Sequence, residues 1–127
     1  MTGPVYDAGA LIGAESNDRD VWRLHKAALA RGVTPVVPAT VLAQVVRGAT
    51  TKANLRRLLK GCRVEPLDEA DAEAVGVLLA AAGTSDIIDA HAVVRVLATG
   101  AAVLSGDRPD LERLAAGVNR TIHIIDV

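Results

Sequence analysis

Short apolar runs rich in β-branched residues alternate along this chain with longer segments in which apolar residues recur at helical spacing. The runs PVY, TPVVP, CRVEPL, AAVLS and TIHIIDV predict buried strands at residues 4–6, 34–38, 62–67, 101–105 and 121–127. Strands that alternate with helices are typical of an α/β domain. We therefore expect a mostly parallel central sheet flanked by helices on both faces.

Glycines and short polar residues divide the remaining chain into helical segments. The predicted helices cover residues 7–14, 16–32, 39–48, 51–61, 68–83, 85–100 and 109–117. We expect Ser16 or Asn17 to cap the second helix, and Ser85 or Asp86 to cap the sixth. Gly83 follows the apolar run of the fifth helix, which is typical of a helix C-terminus.

Aspartates follow two of the predicted strands and interrupt one predicted helix. Asp7 directly follows the first strand, and Asp107 follows the fourth by one glycine, with Asp110 three residues further on. Because the carboxyl ends of parallel strands meet at one edge of a sheet, these side chains should lie close together. Asp86 and Asp89 are three residues apart and share a helical face. Asp89 lies in the apolar stretch IIDAHAVV, where an ionised carboxylate needs a partner.

Each aspartate also has a purely structural interpretation. Asp7 and Asp107 each precede a helix and could serve as its N-cap. Asp86 is the better cap candidate of its pair, and Asp110 could be an ordinary acid in a first helical turn. Asp89 is the hardest to explain in this way, because a neighbour already takes the cap position.

Carboxylates that converge repel one another, and their pKa values rise unless a cation neutralises them. Mg²⁺ and Mn²⁺ prefer oxygen ligands, and Mg²⁺ usually keeps several waters beside substrate phosphates. Such ions activate water and stabilise displacement at phosphorus. The aspartates therefore indicate metal-assisted hydrolysis of phosphodiesters.

Composition narrows the class of protein. The chain has 127 residues, enough for one domain over residues 1–127 and too few for two. Aromatic residues make up 2%, so the core must be aliphatic, and the net charge of −1 means that an anionic partner has to meet a local patch. The single cysteine, Cys62, excludes an internal disulfide framework and fits a reducing compartment. With neither a signal peptide nor a spanning segment, we expect a cytoplasmic protein with no membrane partner.

Four stretches, VYDAGALIGAE, VPATVLAQVVRG, DIIDAHAVV and VLSGDRPDLERLA, resemble the successive motifs of PIN-domain proteins, specifically VapC-type toxins of bacterial toxin–antitoxin pairs. The resemblance runs from about Val5 to Val127. It implies a Rossmann-like α/β/α domain and ribonuclease activity that depends on Mg²⁺ or Mn²⁺. By motif position it implies catalytic and metal-binding roles for Asp7, Asp89 and Asp107, with Asp110 as a further metal ligand and Ser105 near the metal.

One position departs from the family pattern. The second motif usually contains a glutamate, and the matching residue here is Gln44. An amide keeps the carbonyl oxygen but loses the charge, so it should bind a metal more weakly and cannot act as a base. Three interpretations stay open: an enzyme that uses aspartates alone, including Asp86; a weakened nuclease; or a module that binds RNA without cutting it. We favour retained activity, and we assign no role to His91, which follows the third motif.

Other enzymes built on similar sheets fail on specific residues. A phosphotransferase of the haloacid-dehalogenase type requires Asp-x-Asp after the first strand, and here Gly9 occupies the third position. A response-regulator receiver requires a lysine after a late strand, but the lysines are Lys26, Lys52 and Lys60. The glycine-rich dinucleotide and P-loop fingerprints are absent from the sequence.

Basic residues concentrate in the middle of the chain. Six of the fourteen Lys and Arg residues fall between positions 47 and 63. A solvated helix face explains many such runs, but a phosphate backbone beside an acidic cleft also needs a basic patch. We predict RNA binding by the first five of these residues, with Arg63 nearby: Arg47, Lys52, Arg56, Arg57 and Lys60.

The resemblance also implies protein partners. These are a VapB-type antitoxin, whose tail fills a groove and blocks the active site, and a second copy of the chain in a homodimer. Trp22 is the only tryptophan and lies on the second predicted helix. It is either a helix-packing residue or a wall of the antitoxin groove.

Overall fold

The structure, a computed structural model, describes residues 2–48 and 52–127. Within these ranges the chain forms five strands and seven helices. In chain order they are β1 (Thr2–Tyr6), α1 (Ala8–Glu15), α2 (Arg19–Ala30), β2 (Thr34–Pro38), α3 (Ala39–Gly48), α4 (Ala53–Leu59), β3 (Arg63–Glu65), α5 (Glu69–Ala82), α6 (Ile87–Thr99), β4 (Val103–Ser105), α7 (Arg108–Gly117) and β5 (Ile124–Asp126).

The five described strands form one parallel sheet in the order β3-β2-β1-β4-β5. Val5 of β1 pairs with Val36 of β2 on one side and with Val103 of β4 on the other. Valine at these central positions suits a pleated surface that is buried on both sides. The predicted α/β architecture with a parallel sheet is confirmed.

Alternate side chains of the central strands enter two separate cores. Val5 and Val103 point into a core formed with α5, α6 and α7. Tyr6 and Leu104, the next residue on each strand, point into a second core formed with α1, α2, α3 and α4. This period of two follows from the pleat of the strand, and it explains why neighbouring strand residues are buried on opposite faces.

Two predicted helix ends agree with the structure. Gly83 follows α5 with a φ of 69°, the left-handed conformation that glycine adopts without steric cost. Asp86 caps α6, because its carboxylate accepts a hydrogen bond from the backbone N–H of Asp89.

The predicted cap of α2 was wrong. Neither Ser16 nor Asn17 caps this helix; the carboxylate of Asp18 accepts from two backbone N–H groups of the first turn instead. Ser16 ends α1, and Asn17 has a φ of 61° in the tight turn between the helices. Asparagine tolerates this left-handed conformation, so Asn17 belongs to the turn and the next residue, Asp18, is the cap.

Several predicted elements are shorter in the structure. The strands β3, β4 and β5 contain three residues each, fewer than the predicted runs 62–67, 101–105 and 121–127. The predicted helix 51–61 corresponds to α4. Its first residue, Thr51, lies outside the described residues, and so do residues 1 and 49–50 of the predicted domain.

Among the described helices, none taken singly has the length and apolar character needed to cross a membrane, and α5 with α6 meets that test only as a pair bent by 109°.

Candidate metal centre

The order of the strands creates a crevice at the carboxyl edge of the sheet. From β1 the chain builds the sheet towards β2 and β3, and later returns to add β4 and β5 on the other side of β1. Parallel α/β sheets bind ligands at such a switch point, beyond the carboxyl ends of the strands. Asp7 directly follows β1, and the segment from Ser105 to Asp107 follows β4.

Three carboxylates meet at this crevice. Asp7, Asp89 and Asp107 each offer an oxygen, and these three oxygens lie within 4.8 Å of one another. Asp7 and Asp89 are buried, whereas Asp107 is exposed. The meeting of Asp7 and Asp107 agrees with the prediction from the parallel sheet, and Asp89 from α6 joins them as the resemblance implied.

Ser105 connects the two strand ends. Its hydroxyl donates to Oδ2 of Asp7 at 2.7 Å and accepts from the backbone N–H of Asp107 at 2.9 Å. The hydroxyl therefore orients the Asp7 carboxylate and holds the start of α7 against it. The other oxygen of Asp7, Oδ1, is buried and has no hydrogen-bond partner within the described ranges. A buried acceptor without a partner is costly, and a cation would satisfy it.

Neither Asp7 nor Asp107 serves as a side-chain cap. Both occupy the N-cap position of a helix, α1 and α7 respectively, but neither carboxylate accepts a capping hydrogen bond. The structural interpretation of these two residues is therefore wrong. For Asp86 the structural interpretation is confirmed, since it does cap α6.

The electrostatics of the crevice are those of crowded acids. Burial raises the pKa of Asp89 to about 7, and the charges of Asp7, Asp86, Asp107 and Asp110 contribute in the same direction. Burial also raises the pKa of Asp7, against the opposing effect of the hydrogen bond from Ser105. Carboxylates in this state bind either a proton or a cation. Three clustered carboxylates, one of which has an oxygen without a hydrogen-bond partner, therefore fit a hard divalent ion such as Mg²⁺ or Mn²⁺.

A small cavity of about 90 Å³ opens beside Asp89. Asp86 and Asp110, two further predicted site residues, line it together with Thr84 and Arg113. No motif in the sequence pointed to Arg113. Its guanidinium donates to the carbonyls of Ala82 and Gly83, at the end of α5, and so places a cation at the rim of an acidic cavity. The available signal was its spacing, three residues after Asp110 on the same helical face.

Gln44 and His91 differ in their environments. Gln44 is exposed on α3, and no hydrogen bond in the described part of the chain joins it to the three aspartates. His91 is fully buried, and its Nδ1 lies 2.8 Å from Oγ1 of Thr40. On its other side, Nε2 lies 3.5 Å from Oδ2 of Asp71. The other oxygen of this carboxylate, Oδ1, pairs with Arg95 at 2.9 Å. His91 is thus a core residue that joins α3, α5 and α6.

The predicted RNA-binding residues do not all behave alike. Arg47 is exposed in the last turn of α3, Lys52 precedes α4, and Lys60 directly follows it. Arg56 is exposed on α4, whereas the guanidinium of Arg57 lies 4.3 Å from the ring centroid of Trp22 on α2.

Arg63, the sixth basic residue of the run, is occupied otherwise. Its guanidinium pairs with the carboxylate of Glu65 on the same strand.

The parallel sheet, the switch point and the three clustered carboxylates define an α/β protein with an acidic centre at the carboxyl edge. A family model described as PIN domain matches residues 5–117. The chain belongs to the PIN domain family. No curated protein sequence matches it.

Solved structures share the fold of the whole chain. A chain of VapBC from Salmonella typhimurium, in a crystal structure with bound DNA, is 19% identical with a TM-score of 0.67, over 99% of this chain and 98% of the other. A chain of VapBC2 from Rickettsia felis, bound to a DNA fragment from their promoter, is 14% identical with the same TM-score, over 97% of both chains. A chain of a toxin–antitoxin complex from Klebsiella pneumoniae is 17% identical with a TM-score of 0.65, over 85% and 89%. At these identities the likeness establishes the fold.

Proposed function

We propose that this protein is an endoribonuclease dependent on Mg²⁺ or Mn²⁺ and the toxin of a VapBC-type toxin–antitoxin pair. The observation that carries the proposal is the cluster of Asp7, Asp89 and Asp107, whose carboxylate oxygens lie within 4.8 Å of one another at the switch point of the sheet. Membership of the PIN domain family and the fold shared with chains of VapBC complexes support the same proposal.

Each aspartate contributes differently to the chemistry. Asp7, oriented by Ser105, would hold the cation through its unsatisfied Oδ1. Asp89 would release its proton when the cation enters, and Asp107, which is exposed, lies where substrate has access. When bound, the cation supplies a Lewis acid that activates water and stabilises charge on the phosphoryl oxygens. Asp86 and Asp110 add negative charge at the adjacent cavity and would bind outer waters of the cation.

The partners follow from the same proposal. The substrate is RNA, and the activity requires restraint by a VapB-type antitoxin, since the structures that share this fold include VapBC complexes. We assign the protein to the cytoplasm, where RNA and the antitoxin are present, and we propose a homodimer as its working form.

A module that binds RNA without cutting it is the second candidate. The observation that favours it is Gln44, a neutral and exposed side chain where the family motif has a glutamate. With one negative charge fewer, the centre should hold a cation more weakly.

Cleavage of total RNA by the purified chain tests the proposal. Mg²⁺, Mn²⁺ and EDTA are compared for the native chain, for Asp89→Asn and for Gln44→Glu. We expect cleavage by the native chain that requires the metal and is lost in Asp89→Asn, because that variant removes a buried ligand. Gln44→Glu should lower the metal concentration needed for half-maximal cleavage.

Two results would contradict parts of the proposal. Cleavage by Gln44→Glu alone would mean that the loss of one charge has disarmed the native chain. Absence of cleavage by both the native chain and Gln44→Glu, with every metal, would favour the RNA-binding module over the nuclease.

A further inference from the structure

A groove of about 670 Å³ lies between α2 and α4, outside the acidic centre. Cationic side chains dominate its walls: Arg19, Arg23 and Lys26 from α2, and Arg57 from α4. Asn17 and Trp22 complete the lining. In a chain of net charge −1, this is a local concentration of positive charge that the linear basic run does not reveal, because three of the four cations come from α2.

Arg57 is exposed, and its guanidinium is oriented by contact with an aromatic ring. Its guanidinium lies over the ring of Trp22, and the Trp22 indole N–H donates to the carbonyl of Ala14 at 3.1 Å. The same ring packs edge-on against His25. Nδ1 of His25 is hydrogen-bonded to the hydroxyl of Tyr6 at 2.9 Å. A stacked guanidinium on an anchored ring loses little side-chain entropy when it binds an anion.

The helix that carries Arg57 is also fixed. The backbone N–H of Leu55 donates to the Glu15 carboxylate at 2.7 Å, and the side-chain amide of Asn54 donates to the Glu15 carbonyl at 3.0 Å. These bonds join the first turn of α4 to the end of α1. The contact between the two walls of the groove is that of Arg57 on α4 with the ring of Trp22 on α2.

Asp18 and Asp20 lie at the start of α2, and neither forms a buried ion pair with a cation of the groove. The carboxylate of Asp18 is engaged as the cap of α2. Asp20 lies 3.5 Å from Arg23, but both side chains are more than two-thirds exposed, and such surface pairs are worth little in water. The weak pair with Asp20 leaves Arg23 able to contact an anionic partner.

The groove is separate from the one that α2 forms at the amino end of β1. The late part of α2, with Ala27 and Arg31, lines a different groove together with Thr2 and Gly3 at the amino end of β1. Asn17 and Asp7 lie at opposite ends of α1, whose eight residues span about 12 Å. Asn17, in the lining of the groove, is thus one short helix away along the chain from Asp7 of the acidic centre.

We propose that this groove binds the phosphate backbone of single-stranded RNA and so holds a substrate that enters the acidic centre; the inference rests on the proposed function. A polyanion fits the groove better than an amphipathic helix does, because Trp22 is the one broad apolar surface in the lining and Arg57 covers it. Arginine and lysine contacts to phosphate bind RNA of any sequence, so the groove supplies affinity and position.

Binding of a mixed-sequence single-stranded 20-nucleotide RNA, measured by fluorescence anisotropy in EDTA from 50 to 200 mM KCl, tests the inference. The double variant Arg23→Gln with Arg57→Gln is compared with Arg31→Gln with Arg120→Gln, which removes equal charge from exposed sites outside the groove. Each lost phosphate contact lowers the salt slope by about 0.7. We expect the groove variant to lose about 1.4 of the slope and on the order of tenfold in affinity, and the control to match the native chain.

Equal salt slopes in the groove variant and the control would overturn the inference and leave an acidic polypeptide as the occupant. Arg57→Lys keeps the charge and should keep the slope; a loss equal to that of the double variant would contradict electrostatic binding. Because EDTA suppresses metal-dependent cleavage, these results do not depend on nuclease activity. A chain that binds RNA through the groove yet never cuts it would refute the proposed function alone.

Discussion

Asp7 precedes helix α1, but its carboxylate does not cap that helix. It accepts a hydrogen bond from Ser105 on β4 instead. Only 1% of its surface is exposed, and Oδ2 accepts from Ser105, which is distant in sequence. The position of Asp7 after a strand was enough to predict that it meets Asp107. The hydrogen bond from Ser105 could not be predicted, because it depends on the register of β1 against β4.

Replacing Asp89 should change the pH dependence of stability. In EDTA, the folded state binds a proton at Asp89 with a pKa of about 7, above the ordinary 3.8. The stabilisation by that proton is complete below pH 4 and is lost as pH rises through 7. We therefore expect the unfolding free energy of the native chain to fall relative to Asp89→Asn between pH 5 and 8, by about 2.5 kcal/mol. Urea denaturation at several pH values measures this difference.

Glu73→Gln serves as the control, because Glu73 is an exposed acid of α5. Its pH profile should run parallel to that of the native chain. A constant difference between the native chain and Asp89→Asn across this pH range would show that the crevice does not hold a proton at Asp89.

Helix α4 depends on the rest of the protein for its stability. It has seven residues, fewer than an isolated helix needs, and Lys52 at its N-cap position makes no side-chain capping bond. Glu15 from α1 accepts from the first turn in its place. Leu55 and Leu58 bury the other side of the helix. The leucine spacing predicts this helix, but no local pattern can predict that Glu15, forty positions before Leu55, provides its cap.

Glu15→Ala should destabilise the protein by about 1–2 kcal/mol, the usual effect of losing a helix cap. It should also shift the fluorescence of Trp22, because α4 holds Arg57 over that ring. Glu112→Ala is the matched control: its carboxylate pairs with Arg108 on an exposed helix face, and its loss should cost about 0.5 kcal/mol or less. Equal destabilisation by the two substitutions would refute the capping role of Glu15.

The molecule as a whole assembles its acidic centre from distant parts of the chain. β1, α6 and the segment after β4 are separated in sequence and meet because β1 and β4 are neighbours in the sheet. In the folded chain, without a cation, the aspartates are crowded, and their mutual repulsion opposes folding. A divalent ion that binds there should therefore stabilise the entire fold.

Mg²⁺ should raise the melting temperature in a saturable way. At 100 times the dissociation constant, the gain is about 2.7 kcal/mol, which corresponds to roughly 10 °C for a domain of this size. The increase should be larger at pH 8 than at pH 6, because at the lower pH a proton competes with the ion at Asp89. Scanning calorimetry with MgCl₂ and with KCl of equal ionic strength measures the effect. The same increase in Asp89→Asn would place the ion elsewhere.

Local patterns in the sequence were sufficient for the α/β class, the parallel sheet and the approach of Asp7 and Asp107 to one another; the place of Asp89 beside them was implied by the resemblance of its motif to PIN-domain proteins. Strand and helix periodicities are local, and the shared direction of parallel strands brings residues at their carboxyl ends to one edge. Tertiary packing decided the rest: the Ser105 bridge, the cavity with Arg113, the cap that Glu15 provides for α4, and the cationic groove between α2 and α4. Each of these joins side chains from separate elements, and the docking of those elements is set by the two cores on opposite faces of the sheet.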